Sequence, residues 1–522
     1  MKKAVSILLV LLTLGMVVWG LLRPRLEARR NADLFARTSD AGNYKRTITV
    51  WGDDWLGYLV LRSPRFAREL GAHGVGVRWA MEPDFSKRLA GLRDGKCDFA
   101  AVTLDSYLTN GNVTGWPGVV AFVIDESYGG DAVLATDPNV KNLDDLNRPG
   151  ARGAFVGLSP SEFLLRSEIS HFHLDRLRPG LEASRVPDAD AAYNALRGGK
   201  VSFAVLWEPL VTKARNELGA RVLIDTRQAQ GLVIDLALAS RRLIAEEPAL
   251  AETVTRAYFT ALHDYLNNPT QFTEAAARDS GKRGPEADTM LHGIRFATLE
   301  DNATDWLRDS RERDAHLAES VRQIQAILRD HQQRIDLQND DPYSILHRGT
   351  LTRVAAKPEG VPKLTGAGTA AASGGNNLPA NTPRLGEYYP ALSPQQWDDA
   401  SRQVRGTLLD EPIVFRPGQS EIPEDFQGLI RDAAPKLANY PNFRVVVDAH
   451  VSPGNSPEDD RALSDQRALK VKQFLVWDCH VPEERVLARG KGSTEPPQRY
   501  LDEGQAAWER RARRARIFLV GQ

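Results

Sequence analysis

Ser159-Pro160-Ser161-Glu162 precedes a stretch expected to be helical, and this is where the residues first offer chemistry. Free backbone N–H groups at a helix start receive anions. The plainer reading of the same residues is a serine N-cap with proline at the first helical position. Asp53, Asp54, Asp105 and Glu208 make a purely anionic ligand less natural. Trp51, Trp55 and Trp207 are of a type that walls a pocket or stacks on a cation, although each alone fits core packing. His171-Phe172-His173 falls in an expected helix, where residues two apart point to different faces, so no shared metal is expected. No Gly-x-Ser-x-Gly elbow and no Gly-x-x-x-x-Gly-Lys-Ser/Thr loop occurs. No catalytic constellation and no cofactor site is therefore expected. Cys97 and Cys479 are too few for a disulfide framework or a four-ligand zinc site and read as independent buried thiols.

The elements that must position these residues follow from length and pattern. At roughly 100–200 residues per domain, the 522 residues exceed one core. A net charge of -1 gives no global pull toward nucleic acid or an anionic membrane. Strands at Thr47–Trp51, Gly74–Trp79 and Phe99–Val102 alternate with helix-like stretches, the pattern of an α/β architecture with a largely parallel sheet. The alternation continues through Gly118–Ile124, Ala132–Ala135, Ala154–Gly157, a helix from about Glu162, and Phe203–Trp207, which makes two α/β lobes. Residues 245–345 read as mostly helical. There Leu317, Val321, Ile324 and Leu328 recur at three- and four-residue steps, the stripe of a packed accessory helix. Residues 346–384, Ala/Gly/Pro/Asn-rich from Ala355 to Pro383, are expected to be a flexible linker. A compact α+β domain follows over 385–522. It has strands at Ile413–Phe415, Phe443–Ala449 and Arg516–Val520, and helices at Phe426–Leu437 and about Ser464–Leu475.

Met1-Lys2-Lys3 leads an uncharged apolar run from Ala4 to Leu22, about 28 Å long as a helix and close to the hydrocarbon thickness of a bilayer. Trp19 near its end, and the absence of a nearby Ala-x-Ala site, favour an uncleaved signal anchor over residues 1–25 rather than a removed signal peptide. Residues 26–45 then form an arginine-rich juxtamembrane stalk. Lys2 and Lys3 stand before the run and Arg23, Arg25, Arg29 and Arg30 after it, so charge alone does not orient the segment.

Toward the C-terminus the order is Ile413-Val414-Phe415, Ala449-His450, Leu463-Ser464-x-x-Arg467-Ala468, Gly490-x-Gly492-x-x-x-Pro496, and Arg513-Arg514 before a terminal strand. This resembles the OmpA-like domain over roughly residues 405–522. The resemblance implies non-covalent peptidoglycan binding, with an aspartate and an arginine gripping the amino and carboxylate ends of diaminopimelate. Arginine supplies two parallel hydrogen bonds to a carboxylate. The family's arginine falls on Arg467. Its His-Thr-Asp becomes His450-Val451-Ser452, and its asparagine becomes Asp460. Ser452 cannot pair with an ammonium as a carboxylate does, so altered chemistry or a retained fold with a changed ligand both stay open. The run Arg510-Arg511-Ala512-Arg513-Arg514-Ala515-Arg516 coincides with the family's closing Arg-Arg element. A structural or wall-facing role is therefore expected for it, and no nucleic acid.

Residues 46–345 resemble the periplasmic solute-binding proteins of ABC importers, most of all the nitrate/sulfonate/taurine-type group, with the later helices as an extension. The resemblance rests on Trp51-Gly52, Leu89-Ala90-Gly91-Leu92-Arg93-Asp94-Gly95-Lys96-Cys97-Asp98-Phe99-Ala100, Asp125-x-Ser127-x-Gly129-Gly130-Asp131, and Ala195-Leu196-Arg197-Gly198-Gly199-Lys200-Val201-Ser202-Phe203-Ala204. Leu206-Trp207-Glu208-Pro209 also fits. It implies a two-lobed periplasmic-binding-protein fold with ligand between the lobes, at the C-terminal ends of strands. The positions expected there are Trp51, Asp53, Trp55, Thr103, Asp105, Ser127, Ser159, Ser161, Trp207 and Glu208. The combined expectation is a non-enzymatic, inner-membrane-anchored periplasmic receptor or scaffold. Its expected partners are an unknown small solute, peptidoglycan and possible envelope proteins. A scaffold with no small-molecule ligand is the alternative, and an enzyme on the binding-protein fold a remote one.

Overall fold

The computed structural model describes residues 44–310, 314–365, 389–454 and 456–521. The first lobe carries a six-stranded sheet in the order β11-β4-β10-β3-β1-β2. Its strands are β1 (Arg46–Gly52), β2 (Val75–Met81), β3 (Phe99–Thr103), β4 (Gly118–Ser127), β10 (Ile234–Ser240) and β11 (Ile294–Phe296). β1 runs parallel to β2 and β3, while β10 lies antiparallel between β3 and β4. β3, β4 and β10 are buried along their whole length. Helices cover both faces of the sheet, which is why these strands read as continuous apolar runs rather than alternating ones.

The second lobe has five strands in the order β7-β6-β8-β5-β9. They are β5 (Asp131–Ala135), β6 (Gly153–Val156), β7 (Arg185–Val186), β8 (Phe203–Trp207) and β9 (Arg221–Asp225). The chain crosses between lobes twice, from β4 to β5 and from β9 to β10. The two crossings are tied together. The Thr226 hydroxyl accepts from Gly129 N at 2.8 Å and lies 2.8 Å from the Ser127 hydroxyl. Gly129 takes φ +96° at this point, a conformation that costs glycine nothing.

Helices Pro248–Asn267, Pro269–Ser280 and Gly284–Leu291 extend the first lobe. Helix His316–Asp330 buries the expected stripe, with Leu317, Val321, Ile324 and Leu328 at 0–2% exposure. It packs against helix Leu104–Thr114 of the first lobe and helix Pro160–Phe172 of the second.

The expected linker begins too early in the sequence reading. Residues Arg348–Ala356 form a helix that packs on Pro248–Asn267, with Leu351 and Val354 buried. The chain then stays on that surface, as Arg256 donates to Glu359 O at 3.0 Å and Asn267 to Lys363 O at 2.8 Å. Two apolar anchors and main-chain acceptors hold a segment whose composition looks loose. Residues 366–384, the rest of the expected linker, and residues 385–388 after it lie outside the described residues.

The C-terminal unit has a sheet ordered β12-β16-β14-β15, with β13 paired to β16. Its strands are β12 (Val404–Thr407), β13 (Ile413–Val414), β14 (Arg444–Ala449), β15 (Val486–Gly490) and β16 (Arg514–Val520). Its long helix spans Pro457–Trp477 and starts seven residues before the expected Ser464. Ser456 caps it by accepting from Asp459 N at 3.2 Å, with proline next and three acids in the first turn. That combination stabilises a helix start without any apolar periodicity to announce it.

Among the described residues no helix is long and apolar enough to cross a membrane. The run Ala4–Leu22, on which the expected anchor rests, and the stalk up to residue 43 lie outside the described residues.

Candidate functional site

A cavity of about 850 Å³ lies between the two lobes, within the usual range for small-molecule sites. Of the expected positions, Asp53, Trp55, Thr103, Ser159, Trp207 and Glu208 line it. Four do not. The Trp51 ring lies on Gly91, where even a methyl group would come within 2.4 Å of it, so it faces the helix layer rather than the cleft. Asp105 is 2% exposed in the first turn of helix Leu104–Thr114 and accepts from the Ser106 hydroxyl at 3.1 Å. Ser127 donates to Asp131 at 2.6 Å within the crossing. Ser161 is fully buried, with its N–H donating to the Ser159 cap at 3.2 Å.

The helix start at Ser159 is a cap and is already supplied with negative charge. Glu162 accepts from Leu158 N at 2.8 Å and pairs with Arg166 at 2.6 Å and Arg185 at 2.8 Å. The Leu158 and Ser161 N–H groups are thus already bonded within the chain, to Glu162 and to the Ser159 hydroxyl, and are not free to receive an anion.

The cavity wall is acidic. Nine carboxylates line it: Asp53, Asp54, Asp84, Asp131, Asp188, Asp190, Glu208, Asp235 and Asp279. Lys213 and Lys282 are the two basic side chains. Three of the nine have cations of their own. Asp53 pairs with the fully buried Arg88, Asp279 with Arg62, and Asp84 with Lys87. The other six have no ion pair among the described residues.

Three of those six are deeply buried. Asp131 is 3% exposed, Asp235 1% and Glu208 8%. Burial pushes Asp131 up to about 7 despite its bond from Ser127. Burial also raises Glu208, against bonds from the Thr212 hydroxyl at 2.7 Å and its N–H at 3.1 Å. Burial raises Asp235 well above the carboxylate range, and its cross-strand neighbour Asp125 adds to the rise. Tyr58 donates to Asp235. Buried carboxyls without a counter-charge either hold protons or await a cation. Trp55, Tyr58, Phe85 and Trp207 supply aromatic walls.

Sequence reading missed Asp131 and Asp235 as lining groups. Asp131 closes the Asp125-x-Ser127-x-Gly129-Gly130-Asp131 motif, where it reads as the start of a strand rather than as a lining group. Asp235 lies in β10, a run of apolar residues in which a single acid carries no local signal. His171 and His173 share no site. His171 is hydrogen-bonded to Tyr440, and His173 pairs with Asp410 at 2.5 Å. Among the described residues no group of three His, Cys, Asp or Glu is placed to hold a metal.

In the C-terminal unit Arg467 is fully buried and lies over the Phe415 ring at 4.9 Å. It donates to Gln419 O and His450 O at 2.9 Å each and to Arg416 O at 3.3 Å. Three of its five N–H groups are thus used, all on neutral carbonyls. No carboxylate pairs with it among the described residues, and burial with the neighbouring Arg513 holds its pKa down to about 10. Asp460 sits seven residues earlier on the same helix, 2% exposed, and accepts from the Ser493 hydroxyl at 2.6 Å. Ser452 is half-buried in the loop after β14.

Two lobes joined by two crossings define the periplasmic-binding-protein type of fold, with an OmpA-like domain after it. Residues 414–510 match the OmpA family. The chain is 28% identical over 120 residues to the peptidoglycan-associated lipoprotein of Rhizobium meliloti (strain 1021), a match covering 23% of this chain and 65% of that one. The chain therefore spans just under two thirds of that relative. Among solved structures it is similar to the periplasmic aliphatic sulphonate binding protein SsuA from Escherichia coli. That likeness has 18% identity and a TM-score of 0.43, covering 57% of this chain and 98% of the other. It is also similar to the periplasmic nitrate-binding protein NrtA from Synechocystis PCC 6803, at 11% identity and a TM-score of 0.46, covering 61% and 91%. Likenesses of this degree say nothing of the ligand of this chain.

Proposed function

We propose that this chain is a cell-envelope receptor whose cleft takes a small cationic solute and whose C-terminal domain associates non-covalently with peptidoglycan. The observation that carries the solute reading is the set of buried carboxyls Asp131, Asp235 and Glu208 facing the cleft with no ion pair among the described residues, although Arg215 and Lys282 lie near enough to Glu208 to favour its charge. An amine held there would supply the missing charge, with the Trp55 and Trp207 rings to stack on it. A sulfonate or nitrate would face six unpaired acids and two lysines.

The wall reading rests on Arg467, a buried guanidinium with two unused N–H groups and no counter-charge. A diaminopimelate carboxylate fits that need. Asp460 stands at the family's asparagine position, and Ser452 replaces the family's aspartate. In this reading residues 1–25 hold the chain in the inner membrane, the folded domains lie in the periplasm, and the protein is not an enzyme.

A thermal-shift panel on the full chain at pH 8 tests the solute reading. Diamines, polyamines, quaternary amines and basic amino acids are compared with alkanesulfonates, taurine and nitrate. Binding to the native state raises apparent stability by about 2.7 kcal/mol at a hundredfold excess over Kd. At least one cation class is expected to raise Tm by several degrees. A shift with an anion alone would remove the cationic reading and leave a receptor. No shift with any class would remove the receptor and favour a scaffold that binds protein partners.

A further inference from the structure

The C-terminal domain is seated on the receptor at the point where the receptor must bend. The crossing from β9 to β10, residues 226–233, is gripped from outside. Gln230 N donates to Asn439 O at 2.7 Å, and the Asn439 side chain donates back to Gln230 O at 2.9 Å. Asn442 adds a bond to Arg227 O at 3.2 Å. Gln230 and Asn439 are 1% and 5% exposed, so these are enclosed contacts, each costly to leave unmade.

The second half of the contact is the C-terminal end of helix Pro160–Phe172, whose N-terminal cap Ser159 lines the cleft. Tyr440 sits on this helix end, bonded to His171 at 2.6 Å and to both Glu168 oxygens at 3.3 Å. Phe172 packs edge-on against Tyr440 with centroids 5.1 Å apart, and its ring covers Gly406 of β12. Even a methyl group at Gly406 would come within 2.2 Å of that ring. Burial pushes Glu168 up to about 8 and His171 down to about 3. Both groups thus favour their neutral forms at the contact, and the nearby Lys436 ammonium adds to the fall of His171.

The seat leaves the wall-facing site free. β14 runs about 20 Å from Phe443 at the contact to His450 beside Arg467. The helix from Ser159 to the contact is likewise about 20 Å long.

We propose that the C-terminal domain braces the hinge of the receptor, so that cleft closure and seating of the wall-binding domain are linked. Closing two lobes changes backbone angles in the crossing segments. A partner that grips one crossing favours the lobe angle it fits. By linkage, a solute that favours another angle loosens the seat. The hinge is the two-state element that both sites bias. This linkage stands whatever the charge of the solute.

The test uses the full chain in detergent with Cys97→Ala and Cys479→Ala. Spin labels are attached at Arg93→Cys and Lys200→Cys, exposed positions on the first and second lobes. Two variants loosen the seat by independent routes: Gly406→Leu wedges against Phe172, and Asn439→Ala removes the side-chain bond to Gln230 O while leaving the main-chain bond from Gln230 N. Hydrogen exchange across 437–443 reports seating, and protection of Val445–Val447 reports that the C-terminal domain is folded. Unseating is expected to speed exchange of the Gln230 amide about tenfold, whereas the Gly231 amide, bonded to Glu126 within the first lobe, serves as the internal reference. It is also expected to broaden or shift the distance distribution between the lobes. An unchanged interlobe distribution in an unseated, folded variant overturns the linkage. Undiminished protection of 437–443 in both variants overturns the assignment of these contacts as the seat.

Discussion

Arg467→Ala is expected to abolish retention of the full chain on purified peptidoglycan and to destabilise the C-terminal domain by about 3–5 kcal/mol. Two separate effects meet at this residue. Removing the guanidinium leaves Gln419 O, His450 O and Arg416 O without their donor in a fully buried place. It also removes the fork that a carboxylate would occupy. Arg467→Lys separates the two effects. Lysine keeps a positive charge but presents a point charge in place of a planar fork. The domain should stay folded while wall retention falls by about tenfold or more, one lost charged bond. Co-sedimentation with sacculi, alongside thermal unfolding, reads both. Full retention by Arg467→Lys and loss by Arg467→Ala would mean that Arg467 serves the fold and not the wall.

Asp131→Asn is expected to weaken cation binding about 100-fold at pH 8, the scale of a lost buried charge-assisted contact. The pH dependence carries a sign. Burial raises the folded-state pKa of Asp131 to about 7 from its ordinary value of 3.8. Its contribution to stability is therefore fully present below about pH 4 and is lost as pH rises toward 7. At about 1.4 kcal/mol per unit, the ligand-free receptor loses a few kcal/mol across that window on account of this group. A bound cation reverses the preference, because it favours the ionised carboxylate. Solute affinity should thus rise from pH 5 to pH 8 while ligand-free Tm falls. Asp131→Asn should flatten both trends. A wild-type affinity independent of pH would exclude Asp131 from the cation contact.

Much of the architecture was legible because the central strands are buried on both faces. Runs such as Gly118–Ile124 and Phe203–Trp207 have only one use in a compact chain. Glycine, serine and proline at the segment ends mark the crossings and the cap at Ser159. The cleft was legible in part. Asp53, Trp55, Ser159 and Glu208 follow strand ends and Trp207 closes β8, where position along the chain implies position in space. Trp51 shows the limit of that inference. It is two residues from Asp53, yet its ring covers Gly91 of helix Phe85–Arg93, because Trp51 is still inside β1 while Asp53 lies past the end of the strand, where the pleat no longer relates the two.

Asp235 was invisible for the opposite reason. It reaches the cleft from the return strand β10, among apolar residues, and its neighbours Tyr58 and Asp125 come from distant segments. The seat around Tyr440, Asn439 and Gln230 had no signal at all. Each of these residues is an ordinary loop or helix-end residue until two domains are brought together. Arg467 was found by its motif, but its burial under three carbonyls is a property of loops 416–419 and 450, which no pattern announces.

The most direct measurement of the central claim is native mass spectrometry of the full chain purified from its own envelope in mild detergent, with chemical identification of any small molecule released from the cleft. The account predicts a positively charged amine, carried by the wild type and absent from Asp131→Asn and Asp235→Asn. A sulfonate, nitrate or other anion carried by the wild type would contradict it.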